Sequence, residues 1–197
     1  MVIGYHLIFG AYGFWLPNDP RGSWSTEVWA KRLRPFGEAT KVDTRRSVAH
    51  RSHDHDRRRE AKEHLKYPAL QFTGAQARAV GRGFARILET LEMDVHACSI
   101  MPDHVHLATG RCGMSAEDLA GFLKRAATRE LTDEAIHPMA GYHGSRGRVP
   151  TPWARRGWTV FLETPEEIRR CVRYVKDNPV NAGLPRQRWD FETPYDG

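Results

Sequence analysis

The sequence predicts an α+β protein: a ferredoxin-like sandwich in which helices cover one face of an antiparallel sheet, with a basic insertion after the first strand. Two observations predict it. Segments of two-residue alternation and segments of helical periodicity follow one another in the order β α β β α β α, and each of the three helical segments opens on a capping residue. The apolar N-terminal run, residues 2–12, reads as the first strand and ends at the turn-rich "PNDPRG" of residues 17–22. A helix starts at Thr73 and carries Ala77, Val80, Phe84, Ile87, Leu88 and Leu91 at helical spacing. "DVHACSIMP" and "HVHLATG" read as two strands joined near Pro102 and Asp103. A second helix opens at Ser115, with Asp118 in the place of the usual capping-box Glu. "WTVFLE", residues 158–163, reads as a fourth strand. The last helix has Thr164 as N-cap, Pro165 in the first helical position and two Glu in the first turn, and is expected to stop near Pro179.

The 197 residues fit one domain, 1–197, with the insertion at about 23–70 and no internal repeat. Apolar runs are broken well short of the roughly 20 residues of a membrane span, so no membrane partner is expected. The N-terminus has neither leading positive charges nor a small-residue cleavage site, and Cys98, Cys112 and Cys171 form no CxxC pair. Both features suit a cytoplasmic protein.

The charge is uneven. Residues 31–66 hold 12 Lys/Arg against 6 Asp/Glu, an excess equal to the +6 of the whole chain. This segment contains Arg45, Arg46, Arg57, Arg58 and Arg59, and reads as an arm that tracks phosphates, or as a solvated loop. His53, Asp54, His55 and Asp56 are possible metal ligands, but no apolar pattern surrounds them, which favours surface histidines. Further candidates for phosphate contact are Lys124, Arg125 and Arg129 on the second helix and Arg155 and Arg156 before the fourth strand. Trp15, Trp24 and Trp29 could stack bases, with Trp15 favoured as core.

Two short motifs carry chemistry. In "MPDHVHL" (residues 101–107), His104 and His106 share one side of a strand about 7 Å apart, close enough to converge on one ion; the plainer reading is a solvated strand face. A histidine-triad hydrolase is excluded because Ala108 stands where a third histidine would be needed. Asp103 reads as a turn residue, with orientation of His104 as its alternative role. In "RYVKDNPVNAGL" (residues 173–184), Tyr174 and Asn178 are four apart and share a helix face, a phenol and a neutral amide oxygen about 6 Å apart in rise; the plainer reading is a half-buried Tyr and a helix-end Asn.

Together with "YHLIFGAYGFWLPNDPRG" and "WARRGWTVFLETPEEIRRCVRYVKDNPVNAGL", these motifs resemble the HUH (His-hydrophobic-His) single-tyrosine transposases of bacterial insertion sequences, and are most similar to the REP-associated tyrosine transposases. Residues 31–66 and 137–150 fall outside the resemblance. It implies the HUH endonuclease fold, with His104, His106 and Asn178 as ligands of Mg²⁺ or Mn²⁺ and Tyr174 as the nucleophile. The implied activity is metal-dependent cleavage and strand transfer of single-stranded, hairpin-containing DNA through a 5′-phosphotyrosine, by a monomer or homodimer. Three neutral donors leave the charge of a divalent ion available to a phosphate, which suits such chemistry. Two alternatives stand beside it: a domesticated DNA-binding protein without turnover, and a metal-dependent phosphodiester hydrolase that uses water.

Overall fold

The computed structural model describes residues 1–19, 27–39 and 52–197. Four strands, β1 (Gly4–Ala11), β2 (Val95–Ile100), β3 (His104–Gly110) and β4 (Trp153–Leu162), form one antiparallel sheet in the order β2-β3-β1-β4. That order is the one a ferredoxin-like sheet has, in keeping with the α+β sandwich expected from the sequence. The helices are α1 (His55–Glu63), α2 (Gly74–Leu91), α3 (Ala116–Asp133) and α4 (Pro165–Asn181).

Two-residue alternation divides the sheet into two unlike faces. On one face, Tyr5, Leu7 and Phe9 of β1, Ile100 of β2 and Val105 and Leu107 of β3 pack with Val80, Phe84 and Leu88 of α2 and Leu119, Leu123 and Leu131 of α3. The two helices approach closely because Gly83 has no side chain: a Cβ there would stand 2.8 Å from the backbone of Ala126 and Ala127. Both start on the side chains expected from the sequence. Thr73 accepts from the backbone N–H of Gln76 in a full capping box, and Ser115 accepts from that of Asp118.

Helix α4 corrects the expectation that helices cover one face only. It lies on the opposite face, where Ile168, Cys171 and Val175 pack on Ala97, Ala108 and Leu162. Small side chains at 97 and 108 let the helix sit close, and burying that apolar patch is what draws it there. The helix also continues past Pro179 to Asn181. Pro179 falls in the last turn, where its missing N–H leaves only one intrahelical bond unmade. The stop comes from Gly183, at φ 73°, with Leu184 N–H donating to the Pro179 carbonyl over 2.8 Å in a Schellman-type closure. Asn178 therefore stays on the helix one turn beyond Tyr174. Strand β4 is longer than the expected 158–163, starting at Trp153, whose indole N–H donates to the Lys124 carbonyl at 3.0 Å.

Part of the basic insertion is folded. A short 3₁₀ helix, Lys31–Phe36, and α1 bury Leu33 and Ala61 against Leu16. Helix α1 starts where loose surface histidines were expected: Asp54 is its N-cap, accepting from Arg57 N–H at 2.9 Å, and the His53 and His55 rings lie 4.0 Å apart. At the sheet edge, the segment after α4 covers β2. The Gln187 amide bonds both backbone groups of Ile100 (2.7 and 2.8 Å), and Glu192 accepts from Cys98 N–H at 2.8 Å, so the edge offers fewer open groups to another chain.

Candidate functional site

The face of the sheet beneath α4 carries the polar cluster. Odd-numbered residues of β1 and β3 belong to the α2–α3 core, so His104 and His106 point the other way, toward α4. This face is not solvated: His106 is 5 % exposed. The two imidazoles meet edge to face with centroids 4.8 Å apart. The ring of Tyr174 stands edge-on to His106 at 5.5 Å and is 52 % exposed, so the phenol is both beside the histidines and open to solvent. The structure thus brings Tyr174, His104 and His106 together.

A third imidazole joins them, one that sequence reasoning missed. His6 of β1 pairs directly across from Ala108 of β3, so the neighbouring strand supplies a histidine beside the position that lacks one. Its Nε2 lies 2.9 Å from Nδ1 of His106, the two rings lie side by side with centroids 5.1 Å apart and planes 27° apart, and it meets Tyr174 at 5.7 Å. The available signal was its alternation with Tyr5, Leu7 and Phe9, which places it on the face opposite the core; its neighbours depend on the strand register, which no local pattern encodes.

The ring nitrogens have defined partners. Asp103, read from the sequence first as a turn residue, has its carboxylate 2.6 Å from His104 Nδ1. With Nδ1 of His104 engaged by Asp103 and Nδ1 of His106 engaged by His6, both ligand candidates keep Nε2 for another partner. Burial pushes the His6 imidazole down to about 4, and burial together with the neighbouring His6 and His104 holds His106 well below the ordinary range. Both are therefore neutral near pH 7, the form that binds metals. Burial and the nearby Cys171 raise the Tyr174 phenol above its ordinary value, so the protein groups alone do not favour phenolate. Asn178 lies one turn along α4, and its amide Nδ2 is buried without a hydrogen-bond partner. Because the amide O and N are assigned from partners, an Asn with an unpartnered group suits a turned amide whose oxygen faces a ligand. Among the described residues, no three His, Cys, Asp or Glu side chains form a metal cage.

Phe14 forms one wall of the site, stacked on His104 at 4.9 Å. It folds back over Gly10, the residue paired across from His104, and a Cβ on Gly10 would collide with the Phe14 side chain. Gly10→Ala is expected to displace Phe14 and destabilise the fold by about 1–3 kcal/mol in urea unfolding. Trp15 meets Phe14 edge-on at 4.6 Å and opens onto a cavity of about 490 Å³ lined by Leu16, Trp29, Leu33, Trp153 and Arg155. Trp29 is 59 % exposed, with the Arg155 guanidinium 4.9 Å from its ring centre, and Trp15 is half-buried at the cavity wall, not a core residue as the sequence favoured.

The basic candidates divide. Arg45, Arg46 and Trp24 lie outside the described residues. Arg125, Arg129, Arg155 and Arg156 are exposed, with Arg125 lying over the Phe122 ring at 4.5 Å. Arg59 is exposed beside Asp56 at 2.6 Å, and Arg57 donates to the Pro35 carbonyl at 2.8 Å. Arg58 has a structural task instead of phosphate contact: it pairs at 3.0 Å with Asp19, which is buried and needs a counter-charge. Lys124 is likewise structural. Its ammonium donates to the carbonyls of Ala154 (3.0 Å) and Arg156 (3.3 Å), tying α3 to β4, and burial lowers it to about 8.

Lys124 also has a measurable linkage. Between pH 8 and the ordinary 10.5, the native chain has released a proton that the unfolded chain still holds, so unfolding takes one up and stability rises with pH. Relative to Lys124→Met, the wild type is expected to gain on the order of 2 kcal/mol between pH 7.5 and 10 in denaturant unfolding. Equal slopes for the two proteins would place the ammonium in water.

No protein-family model matches the chain, and no curated protein matches it. Among solved structures, it is similar to a REP-associated tyrosine transposase bound to a REP hairpin, at 17 % identity over 64 % of this chain and 70 % of that one, with a TM-score of 0.45. It is also similar to a candidate transposase from Deinococcus radiodurans, at 15 % identity over 90 % of this chain and 91 % of that one, with a TM-score of 0.40.

Proposed function

We propose that the protein is a single-strand DNA endonuclease and strand transferase of the transposase type, with Tyr174 as its nucleophile. The observation that carries this reading is the meeting of a half-exposed tyrosine with two imidazoles whose Nε2 atoms are left open, on the face where strand β3 and helix α4 come together. Tyr174 Oη attacks the scissile phosphorus, the bond from phosphorus to the 3′-oxygen breaks, and the phenol proton ends on the departing 3′-hydroxyl. A 5′-phosphotyrosine ester remains, and because it keeps the bond energy, a second 3′-hydroxyl can reverse the step on another strand.

His104, His106 and Asn178 are the residues that would hold a divalent cation, Mg²⁺ or Mn²⁺; bound there by neutral donors, it would polarise the phosphate and favour an ionised phenol. Asp103 keeps the His104 ring in its tautomer and orientation. Phe14 closes one side of the site and restrains His104 by stacking. The exposed Arg155 beside Trp29, together with Arg125, Arg129 and Arg156, offers cationic and aromatic surface for a single strand, which can stack bases where a duplex cannot.

The test is incubation of the full chain with a hairpin-bearing single-stranded oligonucleotide in Mn²⁺, with and without excess chelator. Cleavage with a protein-linked 5′ product, abolished by chelator, is the expected result. Binding without product would support a DNA-binding protein, and a free 5′-phosphate with no linked species would support hydrolysis by water; either outcome contradicts the proposal.

A further inference from the structure

The cluster holds one imidazole that neither the motif spacing nor the proposed chemistry uses. His6 stands beside His106, and the two facing nitrogens, His6 Nε2 and His106 Nδ1, are 2.9 Å apart. At that distance one of them carries the shared hydrogen and the other accepts it. A neutral imidazole has a single N–H, so the choice decides which nitrogen of His106 keeps a lone pair. If His6 donated, the proton of His106 would sit on Nε2 and close that atom to a cation.

We propose that His6 is a positioning residue of the cation site: its Nε2 accepts from Nδ1–H of His106 and thereby holds His106 in the tautomer whose Nε2 is free to ligate. This rests on the reading of His106 as a ligand. Three features carry it. Asp103 stands in the same relation to Nδ1 of His104, at 2.6 Å, so both rings of the pair are engaged at the same atom. His106 is 5 % exposed, which leaves little access for water to replace the partner. His6 is itself held in place by its register opposite Ala108, whose small side chain leaves room for it, and by Tyr174, whose ring it meets at 5.7 Å. Through these contacts His6 touches both the ligand it orients and the nucleophile beside it. It does for His106 what a carboxylate does for His104, without adding a negative charge that would weaken the cation's pull on a phosphate.

The test uses the full chain. Side-chain ¹⁵N NMR of the metal-free protein is expected to show His106 and His6 both carrying hydrogen on Nδ1; His106 protonated on Nε2 would overturn the proposal. Mn²⁺ binding then separates the roles. His6→Leu is expected to weaken Mn²⁺ binding about 10- to 100-fold, while His6→Gln, whose side-chain oxygen can accept the same hydrogen bond, stays within about threefold of wild type. A folded His6→Leu that binds Mn²⁺ as wild type does, or a Gln variant as weak as Leu, would remove His6 from this role while leaving the cation site intact. Wild-type protein that binds no Mn²⁺ would overturn the ligand reading and this proposal together. Should His6→Leu fail to fold, the tautomer in the wild type and the Gln variant still decide.

Discussion

Tyr174→Phe is expected to reduce cleavage of a single-stranded hairpin substrate by at least about 10³-fold and to abolish the protein-linked product, with affinity for the same oligonucleotide unchanged within about threefold. The substitution removes one oxygen from a ring that is half exposed and edge-on to His106, so packing against His6 and His106 is retained and the fold is expected to be unaffected. Because burial raises the phenol above its ordinary value, the neighbouring imidazoles do not activate it by themselves. Wild-type turnover is accordingly expected to vanish in chelator along with that of the variant. Denaturing gels give the rate and the linked species, and fluorescence anisotropy gives the affinity. A variant that cleaves at the wild-type rate would put the nucleophile elsewhere.

His104→Ala should be nearly as damaging. Removing one of two imidazole donors from a set completed by a single amide is expected to weaken Mn²⁺ binding by at least about 100-fold and to lower cleavage in parallel. The ring also stacks on Phe14, so part of its loss is packing. A replacement that preserves bulk, His104→Phe, separates the two contributions: stability recovers and metal binding does not. Equal Mn²⁺ affinity in wild type and both variants, measured by calorimetry at one ionic strength, would remove His104 from the site.

Much of this arrangement was legible in the sequence, because it depends on short-range periodicity. Caps at Thr73, Ser115 and Thr164 mark three helix starts that the structure reproduces, and the alternation around His104 and His106 puts both on one face. The four-residue spacing of Tyr174 and Asn178 survives because the helix runs through Pro179. What was not legible depends on pairing between distant segments. His6 joins the site only through the β1–β3 register, and α4 covers the second face because Ala97, Ala108 and Leu162 form a patch there that no single strand reveals. Positive charge misleads for the same reason. Arg58 and Lys124 look like phosphate contacts until the buried Asp19 and the β4 carbonyls take them up. The start of α1 was hidden because its apolar content is a single buried alanine, and the Asp54 cap defines it more than any hydrophobic stripe does.

The meeting of Tyr174 with the His104–His106 pair is best tested by locating the bond it is expected to form. Wild-type protein would be trapped with a hairpin oligonucleotide in Mn²⁺, digested with protease and nuclease, and sequenced by mass spectrometry. A nucleotide-bearing peptide modified at Tyr174, absent when chelator is added, is the predicted result. Cleaved DNA with no modified peptide, or with the nucleotide on any other residue, would contradict it.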